Sequence, residues 1–198
     1  LYASVSTNGS TPSVTGQGST AFSDAQFEQG TTHPSSRIAT AGAAASRNAD
    51  ILTYSGGDIP NLKTLSATFK RESGVSNSGY IAALTNGTLN ELAASYMNTS
   101  TQHRFNGIDG GAGQWDTISS NAYVPGASST VAWSAATNDV KMAKDGVAQT
   151  ADTGATMPTV TQLEIGCVTG AFQLNGTVGH IYGWTRNLSQ SELNAITS

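Results

Sequence analysis

The segment 106–116 gathers side chains of the kind that bind sugars. Trp115 stands there between Gln114 and Asp116, with Asp109 a few residues upstream, and the many glycines around them predict a loop. Sugar C–H faces pack on flat aromatic rings, while amide and carboxylate groups orient the hydroxyls by hydrogen bonds. Packing of the indole in a core is the alternative, and the sequence favours neither. With the neighbouring run 102–106, the candidate carbohydrate-binding residues are Trp115, Gln114, Asp109, Asp116, His103 and Arg104.

Asp109 and Asp116 are also a candidate calcium site. Calcium takes about six to eight oxygen ligands, and two carboxylates with loop carbonyls could supply part of that set. A loop whose carboxylates only face water is the alternative. The three histidines and the single cysteine do not have the spacing of zinc ligands. We therefore predict no required cofactor, with calcium as the metal to test.

The sequence offers little for glycoside hydrolysis, which needs two carboxylates roughly 5 Å to 9.5 Å apart. Asp24 and Glu28 share one face of a predicted strand, but their Cα atoms would lie ~13 Å apart. Gln26 stands between them, where a glucanase-type signature would want a central acid. The spacing leaves open a lyase in which His103, Arg104 and a tyrosine meet in space. We predict a protein without catalytic residues, with a polysaccharide lyase or hydrolase as the alternative.

The composition narrows the class of partner. Charged residues make up 11% of the 198-residue chain, the net charge is −4, and the nine basic residues are scattered. Nucleic acid binding would need a concentrated basic surface, so DNA and RNA are not expected partners. No apolar run approaches the ~18 residues of a membrane span, and the start lacks the basic and apolar regions of a signal peptide. We expect no membrane insertion, and a chain that is a fragment or a processed product.

Short alternating runs separated by turn residues predict an all-β fold. Alternation of apolar and polar residues over five to eight positions is typical of half-buried strands, and little helical periodicity is present. Asp145-Gly146 predicts a tight hairpin turn. Trp133 and Trp184 stand at alternating positions and are expected in the core. We predict an antiparallel β-sandwich of the jelly-roll type, with ligands on one sheet face and its rim loops.

Two runs near the C-terminus carry the clearest alternation. The run 160–168 predicts a strand with one face inward, and the lone cysteine falls on that face as a small core residue. The run 176–184 places four alternating residues on one face, of which Val178 and Tyr182 are expected to point into the core. The expected faces carry Leu163, Ile165 and Cys167 in the first run, and Val178, His180, Tyr182 and Trp184 in the second.

A short helix is predicted after the last strand. Ser189 can cap a helical turn while Glu192, three residues later, reaches back to it, and Leu188 can pack on Leu193. This ending, a strand followed by the capped segment 186–193, resembles the closing strand and terminal turn of concanavalin A-like, laminin G-like jelly rolls. The Asp145-Gly146 hairpin is similar to a turn common in the same family.

A second resemblance lies near the N-terminus. The segment 25–30 reads Ala-Gln-Phe-Glu-Gln-Gly, and after a spacer the segment 42–50 reads Gly-Ala-Ala-Ala-Ser-Arg-Asn-Ala-Asp. This succession resembles bacteriophage and prophage tail or virion surface proteins that carry a laminin G-like module. Arg37-Ile38 departs from the aromatic-Ile-Pro turn often found in that family. We predict residues 1–45 as an N-terminal arm with a first strand, and residues 46–198 as the jelly-roll domain.

The resemblance implies a location and a set of partners. It places the chain at a virion surface or in the extracellular space, as a non-catalytic attachment or decoration module that binds a host cell-surface glycan weakly. It also implies contact with other virion proteins and with copies of the chain itself, as a homotrimer. The alternatives are a polysaccharide-degrading depolymerase domain and a purely structural virion protein.

Overall fold

The computed structural model describes residues 51–72 and 77–198. The predicted arm and first strand at 1–45, the Asp24 and Glu28 pair, and the 42–50 motif lie outside the described residues. The described strands are β1 (Leu52–Ser55), β2 (Thr64–Arg71), β3 (Gly79–Thr85), β4 (Leu92–Met97), β5 (His103–Asp109), β6 (Ala112–Ile118), β7 (Ser128–Ala136), β8 (Asp139–Lys144), β9 (Val147–Ala148), β10 (Gln162–Ile165) and β11 (Gly176–Trp184). A 3-10 turn spans Ile59–Asn61, and the helix α1 spans Gln190–Thr197.

The strands form two antiparallel sheets. The six-stranded sheet has the order β1-β10-β3-β4-β5-β6, and the five-stranded sheet has the order β11-β2-β7-β8-β9. Each sheet contains strands from both ends of the described chain. The C-terminal strand β10 pairs with β3 in the six-stranded sheet, and β11 pairs with β2 in the five-stranded sheet. The predicted antiparallel β-sandwich is confirmed.

The core lies between the two sheets. Leu65 and Trp133 of the five-stranded sheet share one buried cluster with Leu84 and Phe105 of the six-stranded sheet. The rings of Phe105 and Trp133 stack with centroids 4.7 Å apart. Burying a side chain of this size contributes about 1.5–3 kcal/mol, so these residues hold the layers together. The predictions that Trp133, Leu163 and Cys167 are core residues are confirmed, since all three are buried.

Two tight turns follow from residues that tolerate positive φ. Asp145 and Gly146 have φ of 48° and 75° and join β8 to β9, which confirms the predicted hairpin. Gly110 and Gly111 have φ of 58° and 81° and join β5 to β6. The segment 106–116, predicted as a loop, is therefore mostly a strand hairpin. Its glycines obscured the alternation because they carry no side chain to mark a face.

Strand β11 differs from its predicted facing because of a β-bulge. The register with β2 shifts between Val178, which pairs with Phe69, and Ile181, which pairs with Ala67. One extra residue in this interval moves every later side chain to the opposite face. Val178 and Ile181 pack against the core, whereas Tyr182 is 57% exposed. The prediction that Tyr182 points inward is wrong.

The C-terminal helix forms as predicted. The Ser189 side chain accepts from the backbone N–H of Glu192, and the Glu192 carboxylate accepts from the backbone N–H of Ser189, which completes a capping box. Leu188 and Leu193 are buried together against Ala132 and Ala143. The helix thus covers the outer face of β7 and β8. None of the described helices has the length and apolar composition that crossing a membrane requires.

Candidate functional site

The outer face of the six-stranded sheet carries two rows of side chains that run across the strands. In one row Tyr80 of β3 lies beside Tyr96 of β4, which lies beside Arg104 of β5. In the neighbouring row Ala94 of β4 lies beside Asn106 of β5, which pairs with Asp116 of β6. Register and alternation put all of these on the face opposite the core. We call Tyr80, Tyr96, Arg104, Asn106 and Asp116 the tyrosine–arginine patch.

The segment 166–175 after β10 covers one half of this face. Val168 is buried in one cluster with Ala83, Leu92 and Ala94, the small and apolar residues of β3 and β4. Phe172 is exposed and lies against Tyr80, with ring centroids 5.9 Å apart. The uncovered half over β4, β5 and β6 is where the tyrosine–arginine patch meets solvent.

The two tyrosines of the patch form a stacked pair. Their ring centroids are 4.9 Å apart and their planes differ by 13°. Burial, and secondarily the neighbouring Tyr96, raises the pKa of Tyr80 to about 12, and burial also raises the pKa of Tyr96. Both phenols are therefore neutral at physiological pH. Each can donate and accept a hydrogen bond beside an aromatic ring.

The polar half of the patch contains an ion pair and two unsatisfied atoms. Arg104 Nη2 donates to Asp116 Oδ2 at 2.6 Å, and the side chains are 23% and 48% exposed. Arg104 Nε and Asn106 Oδ1 are buried and have no hydrogen-bond partner, while the Arg104 guanidinium also lies within reach of the Tyr96 side chain. A buried donor or acceptor left unpaired costs about 1–3 kcal/mol, so each of these atoms calls for a partner such as an ordered water. The ion pair, in contrast, is partly exposed and can be reached by a hydroxyl-bearing ligand.

Trp115 lies in the core and not in this site. Its ring is 4% exposed and packs on Phe105, with centroids 5.5 Å apart. Gly107 lies opposite it in the β5–β6 register, and a Cβ at that position would fall 2.2 Å from the indole. The sequence expectation of a sugar-stacking Trp115 is corrected by this packing, because the glycine opens the space that the ring fills.

His103 also faces the core. It is fully buried, and its Nε2 shares a 2.7 Å hydrogen bond with Ser95 Oγ. Burial, and secondarily the positive charge of Lys144, lowers the pKa of His103 to about 3. Arg104 is the next residue along β5 and therefore points to the opposite face. The two residues do not meet in one site.

Asp109 and Gln114 anchor a neighbouring segment at the end of the β5–β6 hairpin. Thr156 Oγ1 donates to Asp109 Oδ2 at 2.6 Å, and the Thr156 backbone N–H donates to Gln114 Oε1 at 3.2 Å. Asp109 lies three residues from Asn106, the partner of Asp116, so the two aspartates are about 10 Å apart along the strands. No group of three or more histidine, cysteine or acidic side chains that could hold a metal occurs in the described ranges. The two aspartates are too far apart to bind one calcium ion together, so this geometry does not favour calcium binding, which stays a prediction.

Of the six residues predicted for sugar binding, the structure brings Arg104 and Asp116 together in the patch. Asp109 and Gln114 meet separately at Thr156, and Trp115 and His103 lie in the core. Sequence reasoning missed Tyr80, Tyr96 and Asn106. The alternation through Leu92, Ala94 and Tyr96 places Tyr96 on one face of a strand, but the sequence does not show which residue of the next strand lies beside it.

Comparisons with known proteins bear on the fold. No protein-family model matches the sequence, and a search of curated proteins finds no match. Among solved structures, the CBM40 module of the Ruminococcus gnavus IT-sialidase, bound to α2,3-sialyllactose, aligns with a TM-score of 0.57 and 18% identity over 69% of this chain and 83% of that chain. A heptameric SAP-like pentraxin from Limulus polyphemus aligns with a TM-score of 0.53 and 13% identity over 70% of each chain. The leech intramolecular trans-sialidase, complexed with 2,7-anhydro-Neu5Ac, aligns with a TM-score of 0.56 and 18% identity over 69% of this chain and 23% of that chain.

The chain has a concanavalin A-like jelly-roll fold. The fold implied by the C-terminal resemblance is thereby confirmed. At these identities the likeness concerns architecture, and the bacteriophage origin stays a prediction.

Proposed function

We propose that this jelly roll is a non-catalytic carbohydrate-binding module that holds a glycan on the tyrosine–arginine patch. The observation that carries the proposal is the partly exposed Arg104–Asp116 ion pair beside the stacked tyrosines. Sugar hydroxyls both donate and accept, so a glycan can hydrogen-bond these groups while its C–H face contacts the rings. The fold neighbour solved with sialyllactose supports a glycan as the ligand class.

The electrostatics of the patch favour a sugar that bears a carboxylate. Arg104 is the cation of the patch, and its guanidinium can pair with a ligand carboxylate in place of the half-exposed Asp116. The tyrosines add neutral hydrogen-bond groups, since burial raises the pKa of both. An acidic oligosaccharide is therefore the preferred ligand. Neutral sugars would leave the Arg104–Asp116 pair intact and would gain stacking and hydroxyl hydrogen bonds but no ion pair.

The arrangement of carboxylates supports binding without hydrolysis. Asp116 lies at one end of its cross-strand row, and Glu164 of β10 lies in the same row four strand spacings away. At ~4.8 Å for each spacing the two are about 19 Å apart, well beyond the separation that glycosidases use. Glu164 is also 3% exposed.

The lyase alternative loses its candidate base. His103 and Arg104 are adjacent on β5 and point to opposite faces, with His103 in the core. Tyr96 remains beside Arg104, but burial raises its pKa and so disfavours the phenolate that would abstract a proton. The patch can therefore orient a sugar but lacks a prepared acid–base pair.

A glycan array with matched variants tests the proposal. The wild type is expected to bind sialylated or uronate-bearing oligosaccharides, and Arg104→Ala and Tyr96→Ala each to lose that signal. Lys141→Ala is the control, because Lys141 also pairs with an aspartate, Asp139, on the surface of the other sheet. Equal loss in the control, or no acidic glycan bound by the wild type, would refute the patch as the site. Release of reducing ends or unsaturated uronates at catalytic rates would refute the non-catalytic role.

We further propose that the module acts at a virion surface in attachment to a host glycan, with other virion proteins and identical chains as neighbours. The support is the resemblance of segments 25–30 and 42–50 to phage tail and virion surface proteins. Immunogold labelling of purified particles tests the location, and sedimentation equilibrium of the full chain tests the homotrimer. Unlabelled particles and a monomer at all concentrations would contradict the two parts separately.

A further inference from the structure

A second set of aromatic side chains lies on the outer face of the five-stranded sheet, on β11. The rings of His180 and Tyr182 have centroids 6.1 Å apart, and those of Tyr182 and Trp184 have centroids 6.2 Å apart. These residues alternate along a single strand and so form one continuous line. We call His180, Tyr182 and Trp184 the aromatic row.

The β-bulge after Val178 turns this row outward. Without the extra residue, Tyr182 would share a face with Val178 and enter the core. Gly183 holds the strand close to the core on the other face, since a Cβ there would lie 2.9 Å from the Leu62 side chain. The backbone thus presents three rings to solvent where simple alternation would have buried them.

One end of the row is fixed and the rest is open. Trp184 is half-buried and packs against the cluster formed by Leu188 and Leu193 under α1. Tyr182 is more than half exposed, and His180 is also exposed. A ring that is held on one side and open on the other loses little side-chain entropy when a ligand stacks on it.

The charges beside the row point to a neutral ligand. Arg186, just beyond Trp184, pairs with Glu192, with Nη2 and Oε1 2.8 Å apart, so its charge is already compensated. Lys70 lies at the far end, beside Thr177 and outside the line of rings. The row itself offers a phenol hydroxyl, an indole N–H and an imidazole as hydrogen-bond groups. Arg104 of the tyrosine–arginine patch is also paired, but it lies among the residues of its site, whereas Arg186 lies beyond the end of the row.

We propose that the aromatic row is a second glycan-binding site, which takes an extended neutral polysaccharide along β11. From His180 to Trp184 the strand advances about 13 Å, a length that suits several consecutive sugar units and exceeds a single ring. Stacking on successive rings supplies the contact energy, and the polar edges of the rings hydrogen-bond the hydroxyls. This site does not depend on the patch.

The two sites lie on the outer faces of opposite sheets. Stacked sheets are about 10 Å apart, so the body of the sandwich separates the two ligands. One chain can therefore hold an acidic glycan on one side and a neutral polysaccharide on the other. Such an arrangement gains avidity on a surface that carries both glycans.

Affinity electrophoresis of the full chain, in gels containing galactomannan or hydroxyethyl cellulose, tests the second site. The wild type is expected to be retarded, and Tyr182→Ala to bind about fivefold more weakly, the loss of one aromatic contact. Tyr54→Ala is the matched control, since Tyr54 is 53% exposed on β1 of the other sheet. Retardation is expected to persist in 1 M salt, because stacking is not screened.

Tyr96→Ala separates this site from the proposed function. It is expected to abolish binding of acidic glycans while leaving retardation by the neutral polysaccharides unchanged. Tyr182→Ala is expected to weaken retardation by the neutral polysaccharides while leaving binding of acidic glycans unchanged. Loss of both signals in Tyr96→Ala would show that only the patch binds. A wild type that migrates freely in both gels would overturn the second site and would not affect the proposal for the patch. A change of sedimentation in Tyr182→Ala would also overturn it, because the row would then be a self-association surface.

Discussion

The tyrosine–arginine patch and the aromatic row place the same kinds of side chain in different parts of a sheet. The patch is assembled across β3, β4, β5 and β6, and its rings are half-buried by their neighbours on both sides. The row lies along β11, the outermost described strand of its sheet, and its central ring is open to solvent. A patch built across three inner strands and the edge strand β6 is therefore recessed and contains an ion pair, whereas the row along one edge strand is a flat line of rings.

Trp115→Ala should have the largest effect of these variants, and that effect should be on the stability of the fold and not on either binding surface. Truncating a buried tryptophan costs about 3–5 kcal/mol through lost burial and the cavity left behind. We expect chemical denaturation to show that loss for Trp115→Ala and a change within about 0.5 kcal/mol for Tyr182→Ala. Equal stability of the two variants would contradict the placement of Trp115 in the core.

Arg104→Ala should affect ligand binding at the patch and not at the aromatic row, because the guanidinium belongs to the patch. We expect it to weaken binding of acidic glycans by about 1.5–3 kcal/mol, the worth of hydrogen bonds to a charged group, with Arg104→Lys retaining part of the affinity. Neutral polysaccharide binding at the aromatic row should not change. Titration calorimetry at two salt concentrations measures this, and a salt-independent affinity for the acidic glycan would argue against a role for the guanidinium.

Burial of His103 should make the stability of the chain depend on pH. Burial lowers the pKa of His103 in the folded chain to about 3, from an ordinary value of 6.5. Between these values the unfolded chain binds a proton that the folded chain does not, so acidification favours unfolding. We expect the free energy of unfolding to fall by a few kcal/mol as pH drops from about 6.5 toward 3.

A variant of His103 tests this coupling. His103→Gln should flatten the pH dependence of unfolding in that window relative to the wild type. A slope that survives His103→Gln would assign the acid sensitivity to other groups.

Ser189→Ala should have a smaller effect on stability than Trp115→Ala. It should affect ligand binding at the aromatic row only through the helix α1. Removing the cap of α1 costs about 1 kcal/mol, and it loosens the helix against which Trp184 packs. Thermal unfolding measures the loss, with Ser191→Ala as the control. We expect polysaccharide binding at the row to weaken less than in Tyr182→Ala, and a larger loss would show that the helix itself contacts the glycan.

Three residues show how much of the candidate site could be predicted from the sequence. The alternation through Leu92, Ala94 and Tyr96 is enough to predict a strand with Tyr96 on one face. Arg104 was predicted as a binding residue, but its adjacency to Tyr96 depends on the β4–β5 register. The sequence left Trp115 open between sugar binding and core packing because a glycine-rich hairpin and a loop have similar composition, and the space beside Gly107 decides between them.

The sequence by itself determined the features that depend on near neighbours in the chain. Period-two alternation, the Asp145-Gly146 turn and the Ser189 capping box act over a few residues, so their outcome does not need the rest of the fold. Tertiary structure decided which strands adjoin, where the bulge in β11 falls and which face each aromatic ring takes. These depend on contacts between distant segments, and a shift of one residue in register reverses every side chain that follows.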